Sequence, residues 1–178
     1  MELLLGLRAL GRFRRWVFMA AGPQDRLPTR RAVLATAAAL AGCAKPPPPT
    51  VRLSIESDGD YLAFRPDKLS APAGAHVVLT LAHRGKILSQ EHDWVLARPG
   101  TMPSILADSD RASLAAHGAD ASFLKPGDPR IIASTGRIKK GQTTTIEFTA
   151  PGPGDYPFFC STPGHAEDMQ GVLHVTAN

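Results

Sequence analysis

From residue 50 onward, apolar and polar positions alternate in short runs separated by clusters of Gly, Pro and Asp. Val51, Leu53 and Ile55 alternate with Arg52, Ser54 and Glu56, and residues 77–81, 92–97, 131–133, 143–149, 155–160 and 172–176 form further β-prone runs. A period of two puts one face of each run toward a core, so these runs predict half-buried strands. Many short strands at a regular beat predict an antiparallel sandwich. One segment breaks the pattern. Residues 104–116 contain Ile105, Leu106, Leu114 and many alanines, with Pro103 in front and Gly118 after, which predicts a helix inserted between strands. There is no internal repeat, phosphate loop or heptad pattern.

A different pattern precedes the strands. Arg30 and Arg31 lead into a weakly hydrophobic Ala/Leu run that ends in Leu40-Ala41-Gly42-Cys43. A charged region, a short apolar region and a small-residue cleavage site are the three parts of a secretory signal. The paired arginines resemble a twin-arginine signal, and Leu-Ala-Gly-Cys resembles a bacterial lipobox, in which Cys43 is acylated before cleavage on its N-terminal side. Residues 32–44 are too few to span about 30 Å of hydrocarbon, so a transmembrane anchor is the weaker reading. Met19 would begin a signal of conventional length and is an alternative start. Pro46 to Pro49 then form an extended polyproline spacer. The expected organisation is a signal at residues 1–42, a lipidated Cys43 with a Pro-rich linker at 43–49, and one domain at 50–178.

Charge and cysteine content change meaning in this light. The 178 residues carry a formal net charge of +4. Seven arginines and two acids fall in residues 1–42; the remainder holds thirteen Lys and Arg against fourteen acids, about −1. The basic balance therefore belongs to the export signal and makes no case for nucleic acid. Two cysteines exclude a disulfide-stapled scaffold and a four-cysteine zinc ribbon. With Cys43 acylated, Cys160 is the one thiol of the domain, and an exported free thiol is a liability unless something occupies it.

The chemistry concentrates in Cys160-Ser161-Thr162-Pro163-Gly164-His165-Ala166-Glu167-Asp168-Met169. Four residues separate Cys160 from His165 and three separate His165 from Met169, so a thiolate, an imidazole and a thioether can converge while Pro163 and Gly164 shape the turn. Soft sulfur donors with imidazole suit copper, and a trigonal His₂Cys set with a weak axial Met is the electron-transfer arrangement. That set needs one more histidine.

This loop and Glu91-His92-Asp93-Trp94-Val95-Leu96 resemble the two halves of an azurin-type cupredoxin site, and the similarity runs from about Val51 to the C-terminus. The resemblance implies an all-β Greek-key cupredoxin sandwich of about eight strands with one short inserted helix. It implies His92, Cys160 and His165 as equatorial copper ligands, Met169 as the axial ligand, and the Glu91 carbonyl as a candidate fifth donor. One type 1 copper per chain would be the cofactor. His83 matches a non-ligand histidine of azurins; His76, His117 and His174 fit no ligand spacing and are expected at the surface. Trp94 and Phe159 are expected to pack in the core, pointing differently from His92 and Cys160.

Two departures matter. Azurins carry a glycine before the first histidine and an asparagine after it, where this chain has Glu91 and Asp93, and the family's disulfide is absent. Asp93 can still donate its backbone N–H toward the sulfur and accept from Ser161 or Thr162, while its carboxylate would favour Cu(II) and lower the potential, or else would be held protonated. Met102, Pro163 and Gly164, with Leu88, are expected to form an apolar docking rim beside His165. The reading is a non-enzymatic electron carrier, lipid-anchored to the membrane in the periplasm, with Ala44 after Cys43 permitting outer-membrane sorting in a two-membrane cell. Its partners would be redox proteins such as cytochromes or copper oxidoreductases, with no nucleic acid and no small-molecule substrate. The alternative is a periplasmic copper-binding or delivery protein, against which only Met102 and Met169 would remain as methionines after processing. An oxidase would need a second copper centre with more paired histidines, and none are visible.

Overall fold

The computed structural model describes residues 46–86, 90–115 and 123–177. The expected signal, Cys43, Leu88 and His117 lie outside the described residues. Among the described residues, nine strands and one helix follow in the order β1 (Thr50–Ser57), β2 (Phe64–Arg65), β3 (Lys68–Pro72), β4 (His76–Ala82), β5 (Val95–Ala97), α1 (Met102–Ala115), β6 (Ile131–Ser134), β7 (Thr143–Thr149), β8 (Gly154–Phe159) and β9 (Gln170–Thr176). They form a four-stranded sheet, β2-β1-β4-β7, and a five-stranded sheet, β3-β9-β8-β5-β6.

The sandwich is as expected, but its sheets are mixed. β1 runs parallel to β4 and β3 parallel to β9, whereas the other pairs are antiparallel. Pairing direction is set by which strands the connections bring side by side, and alternation within a strand carries no record of it. β2 and β3 were not expected. β2 is two residues long, and β3 buries Leu69 and Ala71 through a run of Ser, Ala and Pro with weak strand preference. Pro72 is tolerated because β3 is a sheet edge.

Between the sheets lie Ile55, Phe64, Val77, Leu79, Leu81, Trp94, Leu96, Phe158 and Leu173, together with Cys160 and Met169. A second cluster covers the opposite face of β5 and β8: Val95, Ala97, Phe159 and Ala166 pack with Ile105 of α1. Phe159 thus points away from Cys160, as period two requires. Trp94 does not; it belongs to the same core as Cys160 because it lies two positions, one full period, from His92.

Helix α1 starts two residues earlier than its pattern suggested. The Ser104 hydroxyl and the Ile105 N–H both donate to the Thr101 carbonyl, which closes the first turn. Arg130, at the end of the segment returning to β6, fixes the helix from below by pairing with Asp108 and Asp128 and donating to the Ser104 hydroxyl. Ser109, buried on the inner helix face, donates to the Ser161 carbonyl at 2.8 Å. The inserted helix is therefore tied directly to the loop that begins at Cys160.

Candidate metal centre

Two separate connections, one between β4 and β5 and one between β8 and β9, deliver the donor side chains to one end of the sandwich. β8 ends at Phe159, and Cys160 follows with its N–H donating to the Met169 carbonyl at 3.0 Å, so the loop leaves and returns at one point. Inside the loop, the His165 N–H donates to the Thr162 carbonyl and the Met169 N–H donates to the His165 carbonyl. Gly164 sits at φ 76°, a left-handed conformation that a side chain would penalise, which lets the turn present His165 inward. His92 precedes β5 and is held by reciprocal backbone hydrogen bonds with Ile138 at 3.1 and 2.7 Å.

The Cys160 Sγ lies 3.6 Å from His165 Nδ1 and 3.9 Å from His92 Nδ1. All three donor atoms fall within 4.8 Å of one another, and all three residues are buried. Nitrogen and thiolate bonds of about 2.0 and 2.3 Å in a trigonal plane would separate their donors by about 3.5–3.7 Å, so the observed spacing fits one ion at the centre. Met169, fully buried in the same core cluster as Cys160, supplies a thioether from the adjoining turn. The donor set is soft and suited to copper.

Burial keeps these groups neutral when no metal is bound. It pushes the Cys160 thiol up to about 12, helped by the charge of Asp93 and opposed by hydrogen bonds from Thr162 and the Asp93 backbone. It lowers His92 to about 3, reinforced by His83 and His165, and lowers His165 as well. The two ligand-bearing loops are joined around this pocket. Ser161 donates its N–H and its hydroxyl to Asp93, and the Thr162 hydroxyl donates to the Glu91 carbonyl at 3.0 Å. The carbonyl expected as a fifth donor therefore carries a hydrogen bond from the opposite loop.

Glu91 also has partners that its position in the sequence did not announce. Its carboxylate lies 3.2 Å from Arg137 and 3.7 Å from Lys139, and the Arg137 guanidinium stacks 4.6 Å from the Phe123 ring. No local spacing connects residues 91, 123 and 137, so only the assembled fold brings them together. His83 lies against His92, with ring centroids 4.3 Å apart. Its Nδ1 accepts from the Gly85 N–H, which assigns the proton to Nε2 for donation to the Gln90 carbonyl. His76 and His174 contact Glu147 and Asp155 on the strands. Met102, Pro163 and Gly164 line one groove, together with Leu106 and Ala166.

The sequence compared with known proteins gives the same answer. The family described as copper binding proteins, plastocyanin/azurin family, matches residues 50–176. Auracyanin-A of Chloroflexus aurantiacus is 34% identical over 125 residues, covering 70% of this chain and 74% of that protein. Azurin iso-2 of Methylomonas sp. strain J is 32% identical over 125 residues, 67% of this chain and 93% of the other. The solved structure of auracyanin A, a "blue" copper protein, superposes with a TM-score of 0.62 at 33% identity, covering 71% of this chain and 99% of its own. With a mixed two-sheet sandwich, a buried Cys, His, His cluster at one end and these relatives, the chain belongs to the plastocyanin/azurin family of copper-binding proteins.

Proposed function

We propose that this chain is a blue copper electron carrier in which His92, Cys160, His165 and Met169 would hold one copper ion. The observation that supports this most directly is the convergence of a thiol and two imidazole nitrogens, 3.6 and 3.9 Å apart, in a buried pocket. Copper supplies the one-electron couple between Cu(II) and Cu(I). The chain's own contribution is to hold donors from separate loops in place, so that little rearrangement accompanies the change of charge. Ser161, Asp93 and Thr162 link those loops, and the buried surroundings exclude water. Four protein donors leave no position for a substrate, which argues against an enzyme.

The tether belongs to the same proposal. Residues 1–42 act as an export signal, Cys43 is lipidated, residues 43–49 form a spacer and residues 50–178 form the carrier domain, held in the periplasm at a membrane surface. No helix among the described residues is long and apolar enough to cross a membrane. Redox proteins such as cytochromes or copper oxidoreductases would dock at Met102, Pro163 and Gly164.

Copper loading of the purified protein tests the carrier reading. Intense visible thiolate-to-copper absorption and a reversible one-electron wave are expected. A colourless, readily chelated Cu(I) protein would instead favour copper delivery. Mass analysis of the mature N-terminus tests the tether: a diacylglyceryl adduct on Cys43, absent in Cys43→Ser, is expected, and an unmodified Cys43 would refute it.

A further inference from the structure

Three consecutive residues between β6 and β7 grip the segment that carries His92. Ile138 exchanges both backbone hydrogen bonds with His92, at 3.1 and 2.7 Å. Side chains two positions apart on an extended segment share a face, and Arg137 and Lys139 both reach the Glu91 carboxylate, at 3.2 and 3.7 Å. The two contacts differ in kind. The Arg137 and Glu91 side chains are only 12% and 16% exposed, whereas that of Lys139 is 66% exposed. The Arg137 guanidinium also lies 4.6 Å from the centre of the buried Phe123 ring. The peptide unit between Glu91 and His92 is held at both of its polar atoms: its N–H donates to Ile138 and its carbonyl accepts from the Thr162 hydroxyl. Glu91 is thus the point where residues 137–139 and the 160–169 loop meet beside a metal donor.

We propose that Arg137 is a positioning residue for the copper site. It acts through Glu91: by pairing with that carboxylate and stacking on Phe123 it fixes the 91–92 peptide, and with it the stance of His92 toward Cys160. The inference deepens the blue copper reading and rests on it. A largely buried carboxylate left without its cation would turn toward water and pull its own peptide unit along, loosening the hydrogen bonds to Ile138 and Thr162. Lys139 cannot replace Arg137, because an exposed ion pair contributes little and an ammonium lacks the planar fork that stacks on a ring. The aromatic contact removes the freedom of the guanidinium to follow a moving carboxylate.

Hydrogen exchange of the metal-free protein reads the clamp without copper. In Arg137→Met the amides of His92 and Ile138 should exchange about tenfold faster, and those of β3 and β9 far less so. Adding Glu91→Gln removes the stranded charge. The double variant, which has the wild-type net charge, should therefore recover most of that protection and most of the wild-type copper spectrum. In the copper(II) form, Arg137→Met should change the EPR hyperfine splitting and the ratio of visible bands, and should release copper to a chelator about tenfold faster. Val175→Ala, a core truncation at the end of β9 remote from Met169, should lower stability while leaving the spectrum as it is. Arg137→Lys, the milder variant should Arg137→Met not fold, keeps the charge but loses the fork and the stack, and should give the same spectral change at smaller size. Equal effects from Arg137→Met and the double variant, or a spectrum that moves no more than in Val175→Ala, would overturn the proposal. A wild-type protein without blue copper absorption would refute the carrier reading, and the exchange measurement would still decide the clamp.

Discussion

Ser161 donates both its backbone N–H and its hydroxyl to the Asp93 carboxyl group, at 2.6 and 2.5 Å. The residue after His92 is thereby bound to the residue after Cys160, across 68 positions of chain. Two loops that carry donors are locked together before any metal arrives, which is what a centre of low reorganisation requires.

That lock places a carboxyl group beside the copper position, and its charge should be readable in the potential. Burial raises the Asp93 pKa above the usual carboxylate range, with Ser161, Cys160 and Arg137 pulling the other way. Where it is ionised it favours Cu(II), so Asp93→Asn should raise the reduction potential by about 50–100 mV. The wild-type potential should climb toward that of the variant as pH falls and the carboxyl takes up its proton, while the variant lacks this step. Voltammetry across pH checks both. Glu91→Gln should shift the potential less, because Arg137 and Lys139 already offset the Glu91 charge.

Metal uptake should release a proton. With the thiol pushed up to about 12 and His92 lowered to about 3, the empty site at neutral pH carries its proton on sulfur and none to be displaced from His92. Copper(II) binding should release about one proton per ion, and affinity should rise about tenfold per pH unit between about pH 5 and 9. Calorimetry in buffers of different ionisation enthalpy measures the release; zero or two protons would contradict the assigned protonation states.

Asp128 should make the fold sensitive to acid. Arg130 beside it holds its carboxyl at about 2, below the ordinary value near 4 expected in the unfolded chain. Above pH 4 both states are ionised and the pair contributes fully. Between about pH 4 and 2 the unfolded state takes the proton first, so stability falls, and below that the contribution is gone. In Asp128→Asn the thermal midpoint should be lower near neutral pH and should fall less steeply through this window.

Gly171→Ala should be costly for a reason unrelated to charge. A Cβ at position 171 would overlap the Asp67 carbonyl oxygen, which accepts the Val172 N–H, and the ring of Phe158, which pairs with Gly171 across β8 and β9. A loss of about 2–3 kcal/mol is expected in denaturant unfolding of the metal-free protein. Because Met169 lies two residues away, the visible spectrum of the copper form should shift with it.

The donor set was legible from sequence because its signal is local: Cys160, His165 and Met169 share one loop, and the spacing of a loop survives without the fold. The sandwich was legible for a similar reason, since alternation at Val51, Leu53 and Ile55 is a property of one strand. Tertiary structure decided what depends on chain segments meeting. It made β1 and β4 parallel, placed Trp94 in the core with Cys160, put the Glu91 carbonyl under the Thr162 hydroxyl, and brought Arg137 onto both Glu91 and Phe123. It also tied α1 to the 160–169 loop through the Ser109 hydroxyl and the Ser161 carbonyl. Residue types and their spacing pick out the candidate donors of the 160–169 loop, and the family resemblance adds His92; the environment that sets their charge comes from packing between residues far apart in the chain.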